Sequence, residues 1–176
     1  KDFIVFSAGD ALKILNRRGA TRINVKERIN FSGEAIYLYN SLFTTTNTKG
    51  DLVQVNTKGT VSRQNLGLDS KHDITTSSKT LVTRSDNKLS IKSNTVDLDY
   101  GSYTAPRLFY LRDKIYISIT DLQAQKIWLF DSQAKPFANI PIFGTSAIDL
   151  ANADADTALE FVTKSDANSL IMYQLY

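Results

Sequence analysis

Apolar and polar positions alternate with a period of two along most of the chain. Ile36-Tyr37-Leu38-Tyr39, Leu89-Ser90-Ile91, the run from Lys114 to Ile119, Ile127-Trp128-Leu129-Phe130 and Leu170-Ile171-Met172-Tyr173 all follow it. Leu52-Val53-Gln54-Val55 belongs with them. Each run is short and ends in Gly, Asn, Asp, Ser or Lys. Alternation sends successive side chains to opposite faces of a pleated ribbon, so these runs predict strands separated by turns. No long stretch keeps a 3.6-residue period. Asp10 to Arg18 and Asp156 to Phe161 have a helical composition but fall where the pattern calls for strand or turn.

The runs are organised as a repeat. A strand running into a polar turn recurs with its first polar residue at Asn16, Asn56, Lys92, Asp131 and Gln174, at spacings of 40, 36, 39 and 43 residues. Each is preceded by a partner strand, at 3–6, 43–46, 80–83, 115–119 and 159–163. Short polar linkers such as Thr48-Lys49-Gly50-Asp51 join the pairs into hairpins. A period near forty with three or four short strands per unit is the signature of a propeller blade, whose faces are covered by neighbouring blades. The expected fold is all-β: consecutive three- to four-stranded antiparallel blades of a β-propeller. The expected units are 1–30, 35–68, 73–100, 105–135 and 145–176, within one propeller segment spanning 1–176. The first opens on a second-strand-like segment and the last closes on a third-strand-like one. That predicts an incomplete propeller with upstream blades outside this chain.

Composition adds limits. The 176 residues are 42% hydrophobic and 22% charged, which suits a packed globular core. The net charge of +3 is too small for a phosphate-tracking surface, so no nucleic-acid partner is expected. No apolar run approaches the ~20 residues of a membrane span, so no direct membrane insertion is expected. Cysteine is absent, which excludes disulfides, thiolate metal sites and a Cys nucleophile. Charge is unevenly distributed. Residues 1–30 carry seven Lys/Arg against three acids, a net of +4; residues 146–176 carry one Lys against five acids, a net of −4. These ends read either as ordinary solvated loops or, at the acidic end, as a cation-collecting region.

The most specific text is the last repeat, where Pro136 and Pro141 precede Gly144 and Asn152-Ala-Asp154-Ala-Asp156-Thr-Ala-Leu-Glu160 leads into a strand. This segment resembles the FG-GAP/VCBS class of bacterial propeller repeats, in which a proline-containing crossover leads to an acidic D-x-D-x-D-G-x-x-D/E-L loop. Asn152, Asp154, Asp156 and Glu160 match its acidic positions. Thr157 replaces the family's Gly, and Ala155 stands where a second Gly is common. The resemblance covers about a quarter of the chain. The earlier repeats are similar to generic quinoprotein-like or WD-type blades, and the whole chain is similar to the tails of flavobacterial-type envelope proteins, which implies an extracytoplasmic setting. Carboxylates at alternate positions converge on one point, the arrangement of oxygen-rich calcium sites. The ligands would be Asn152, Asp154, Asp156, the Ala158 carbonyl and Glu160, with calcium as the cation. The alternative is a decayed loop that keeps its fold without metal.

No catalytic set is recognisable. His72, the single histidine, lies in the polar run Asp69-Ser-Lys-His-Asp73 and reads as a solvated loop residue. No phosphate-cradling glycine loop is present. Trp128 reads as a blade-packing residue, with a surface platform as the alternative, and Tyr37, Tyr39, Tyr103, Phe109 and Tyr110 carry the same two readings. Pro106, Pro136 and Pro141 read as inter-blade crossovers. The expected function is a non-catalytic scaffold or binding module of a larger protein, with the upstream part of that protein or another protein as partner. The alternative is an accessory domain of an enzyme whose catalytic part lies upstream.

Overall fold

The computed structural model describes residues 2–154 and 156–175. Every regular element among them is a strand, and the strands form five separate antiparallel sheets. Sheet 1 holds β1 (Ile4–Ala8), β2 (Ala11–Leu15) and β3 (Thr21–Ile23). Sheet 2 holds β4 (Tyr37–Tyr39), β5 (Leu42–Thr46), β6 (Asp51–Val55) and β7 (Val61–Asn65). Sheet 3 holds β8 (His72–Thr76), β9 (Leu81–Ser85), β10 (Lys88–Ile91) and β11 (Asn94–Asp97). Sheet 4 holds β12 (Arg107–Leu111), β13 (Lys114–Asp121), β14 (Lys126–Phe130) and β15 (Ile142–Phe143). Sheet 5 holds β16 (Asp149–Ala151), β17 (Leu159–Lys164) and β18 (Leu170–Leu175). Within each sheet the strands follow in sequence order, so every unit is a meander of the blade type. The chain divides into two compact units, Lys1–Leu81 and Val82–Tyr176.

The register identifies equivalent strands. The predicted hairpin pairs are β1–β2, β5–β6, β9–β10, β13–β14 and β17–β18. Sheets 2, 3 and 4 add one strand before and one after this hairpin. Sheet 1 adds only the following strand, and sheet 5 only the preceding one.

Each core cluster lies between two sheets, and its residues all belong to one unit. In the first unit Leu12 and Ile14 of sheet 1 meet Phe43, Val53 and Val55 of sheet 2. In the second, Val82, Leu89 and Ile91 meet Ile117, Ile119 and Phe130 of sheet 4. The opposite face of sheet 4 presents Tyr116, Ile127 and Leu129 to Leu150, Leu159 and Phe161 of sheet 5. The period-two alternation of β13 and β14 thus feeds two cores at once. Sheet 4 is covered on both faces, which is why β12 and β14 are each apolar at four of five positions.

A single turn design recurs between strands. Asn16, Asn47, Asn56 and Asp131 each accept, through one side-chain oxygen, the backbone N–H groups two and four residues on, at 2.7 to 3.2 Å. The residue three places on has positive φ: Gly19, Gly50, Gly59 and Ala134. Such a short polar side chain substitutes for a backbone acceptor and fixes the turn locally. At Gly59 the demand is double, because a Cβ would lie 2.2 Å from the Asn24 carbonyl oxygen.

Two placements differ from the sequence reading. Pro106 lies between sheets, but Pro136 and Pro141 lie inside sheet 4, in the connection from β14 to β15. Both prolines sit outside regular strand, so the constraint that keeps Pro out of central strands is met without a crossover. His72 is not a solvated loop residue. It begins β8 at 6% exposure, with Nδ1 2.7 Å from the Asp69 carbonyl oxygen and Nε2 2.7 Å from Thr46 Oγ1. A carbonyl can only accept, so Nδ1 carries the proton there. Nε2 thus holds β8 against β5, while Nδ1 ties the ring to the connection that leads into β8.

Candidate cation loop in the last sheet

The loop from β16 to β17 differs from its counterparts. β4–β5 and β12–β13 turn on two residues with positive φ, Asn40-Ser41 and Arg112-Asp113, as tight hairpins do. The β16–β17 connection spans 152–158 instead and carries the acidic text. Ala155 lies outside the described residues.

Two successive side-chain-capped turns shape it. Asp154 Oδ1 accepts the Asp156 N–H at 2.8 Å, and Asp156 Oδ1 accepts the Ala158 N–H at 2.6 Å. Asn152 closes the loop by donating its amide to the carbonyls of Asp156 and Ala158, at 2.9 and 3.1 Å. Glu160, at the start of β17 and only 5% exposed, accepts the Ala153 N–H at 2.7 Å. From the adjoining strand Gln174 donates to Asp156 Oδ2 at 2.8 Å. Arg112, in the tight turn of sheet 4, donates to the Thr157 carbonyl and ties the loop to its neighbour.

This folding brings Asp154, Asp156 and Glu160 together, with one oxygen of each within 4.8 Å of the others. Of the five residues singled out from the sequence, these three converge. The other two, Asn152 and the Ala158 carbonyl, are hydrogen-bonded to one another. The sequence reading did not include Gln174, whose amide stands against two of the three carboxylates. Its alternation within β18 gave no signal for that role. Three carboxylates this close repel one another unless donors, water or a cation compensate. Gln174 and the loop N–H groups supply part of that compensation.

The aromatic residues serve packing in most cases. Trp128 is half-buried against the core between sheets 3 and 4 and stacks on Phe130 at 6.1 Å. Phe109 packs against the core between sheets 4 and 5. Tyr37 and Tyr103 are half-buried, donating to the carbonyls of Ile74 and Asp99, and burial raises both phenol pKa values. Tyr39 is half-buried, whereas Tyr110 is 60% exposed.

No family model and no curated protein matches this chain. Solved structures do. The computationally designed Ika4 protein is similar over 90% of this chain and 99% of its own, with a TM-score of 0.54 and 13% identity. A Bacteroides caccae protein of unknown function is similar over 98% of this chain and 77% of its own, with a TM-score of 0.50 and 13% identity. At that identity, what the chain shares with both is a fold.

Proposed function

We propose that this chain is a non-catalytic propeller segment, of the FG-GAP/VCBS-like kind, serving a larger protein as a scaffold or binding module. Its last blade takes calcium at Asp154, Asp156 and Glu160. Its partner is the upstream part of the same protein or another protein. The observation that carries this reading is the convergence of three carboxylates at one end of sheet 5. All-oxygen donors on a short loop suit a hard, geometrically tolerant cation such as Ca²⁺. The cation would take the place of the Gln174 amide and neutralise the acidic loop. With few donors and Thr157 at the family's Gly position, affinity falls in the weak range of extracellular modules, about 10⁻⁴ to 10⁻³ M. A site that weak is filled only where calcium is abundant, which favours the cell envelope.

A thermal melt with and without millimolar calcium tests this, with an Asp154→Ala variant alongside. The expected result is a midpoint that rises with the logarithm of calcium in the parent and stays fixed in the variant. An unchanged parent midpoint overturns the calcium reading. A shift that survives Asp154→Ala places the cation elsewhere.

A further inference from the structure

Sheets 1 and 5 each have one covered face and one bare one. The register of β1 and β2 sends Val5, Leu12 and Ile14 toward sheet 2 and sends Ile4, Phe6, Lys13 and Leu15 to the other side. There Ile4 is 47% and Phe6 41% exposed. In sheet 5, Phe161 and Tyr173 face sheet 4, while Val162, Leu170 and Met172 share the opposite side. Leu170 is 70% and Met172 65% exposed. Both bare faces therefore have an apolar centre of two large exposed side chains, flanked by a half-buried one, Leu15 or Val162.

Each face also carries one lysine, Lys13 or Lys164, and the opposite charges flank the faces at matching ends. In sheet 1, Ile4 at the start of β1 pairs with Leu15, next to the turn that carries Arg17 and Arg18. Those two line a basic concavity with Arg22 and Asp2. In sheet 5 the acidic loop precedes the equivalent strand, β17. Consecutive sheets of the second unit show how equivalent ends meet. Arg112, just before β13, bonds Thr157, just before β17; Asn94 of sheet 3 bonds the Gln133 carbonyl in the corresponding turn of sheet 4.

We infer that the bare face of sheet 5 docks on the bare face of sheet 1 of a second copy of this chain, head to tail. Stacked as sheets 4 and 5 are, this joint buries Phe6 and Ile4 against Leu170 and Met172. It also sets the acidic loop of one copy beside the Arg17-Arg18 turn of the next. The complementarity of the two faces argues for a copy of the same chain, since one joint covers both. A heterologous contact of this kind closes into a ring or continues as an open array.

Sedimentation velocity over a range of concentrations tests the joint, using the parent, Phe6→Asp and Met172→Asp. Both positions are exposed, so each variant should fold, which circular dichroism checks. The parent should self-associate, less so at high salt because the flanking charges are exposed. Each variant alone should be monomeric. An equimolar mixture should form a dimer and stop, because it retains one intact sheet 5 face and one intact sheet 1 face. A monomeric parent at every concentration overturns the proposal. Variants that assemble like the parent, or a mixture that stays monomeric, overturn it as well.

Discussion

Sheets 4 and 5 are built to one plan, and the difference between them is what lies on the second face. In β14 the residues turned toward sheet 5, Ile127 and Leu129, are fully buried. The equivalent positions of β18 hold Leu170 and Met172, of similar size and apolarity, at 70% and 65% exposure. The same side-chain chemistry is core in one blade and surface in the next. A blade is therefore not a self-contained folding unit. Its second apolar face becomes core only when a neighbour arrives, which is the logic of stacked repeats.

The contrast can be broken at its strong end first. Leu129→Ala removes a side chain with no exposure between two sheets, and should cost about 2–5 kcal/mol in chemical denaturation, as large-to-small core changes do. Asp156→Ala strips the acidic loop of the acceptor for Ala158 N–H and Gln174. With exposed partners the loss should be about 1 kcal/mol, read in the same assay. Met172→Ala, measured on monomer, should change stability by no more than about 0.5 kcal/mol. A core-sized loss there would mean that sheet 5 has no bare face.

Tyr103 offers a finer test near sheet 4. Burial chiefly, then the nearby Asp121 and Asp99 carboxylates, hold its phenol above the usual value of 10.0. The folded state thus favours the protonated form. The associated stability is fully present below about pH 10 and is lost as pH rises through the folded pKa. Alkaline unfolding should begin above pH ~10 and be less steep in Tyr103→Phe. An unaltered slope would show that this phenol does not contribute.

Much of this was legible in the chain. The five hairpins declared themselves because apolar runs recur in pairs joined by short polar linkers, and three of the pairs run on into an Asn- or Asp-led turn, at Asn16, Asn56 and Asp131. The outermost strands did not. β7, Val-Ser-Arg-Gln-Asn, is almost wholly exposed, so it shows no buried face and therefore no hydrophobic period. His72 was misread for a related reason. Its neighbours in sequence are polar, and its partner Thr46 is 26 residues away. The acidic loop was visible as a spacing, but the hydrogen bonding of Asn152 to the Ala158 carbonyl, and the approach of Gln174, depend on strand pairing that no local pattern encodes.

The recurrent turn at Asn16, Asn56 and Asp131 has a bearing on ancestry. A strand tolerates any exchange that preserves its alternation, so strand residues are free to drift. The turn asks for an oxygen acceptor at its first position and a left-handed backbone at its fourth, and few residue types satisfy both. In a lineage of duplicated blades the turns are then the slow clock and the strands the fast one. Copies of this blade in distant proteins would be found by aligning their turns and letting the strands follow.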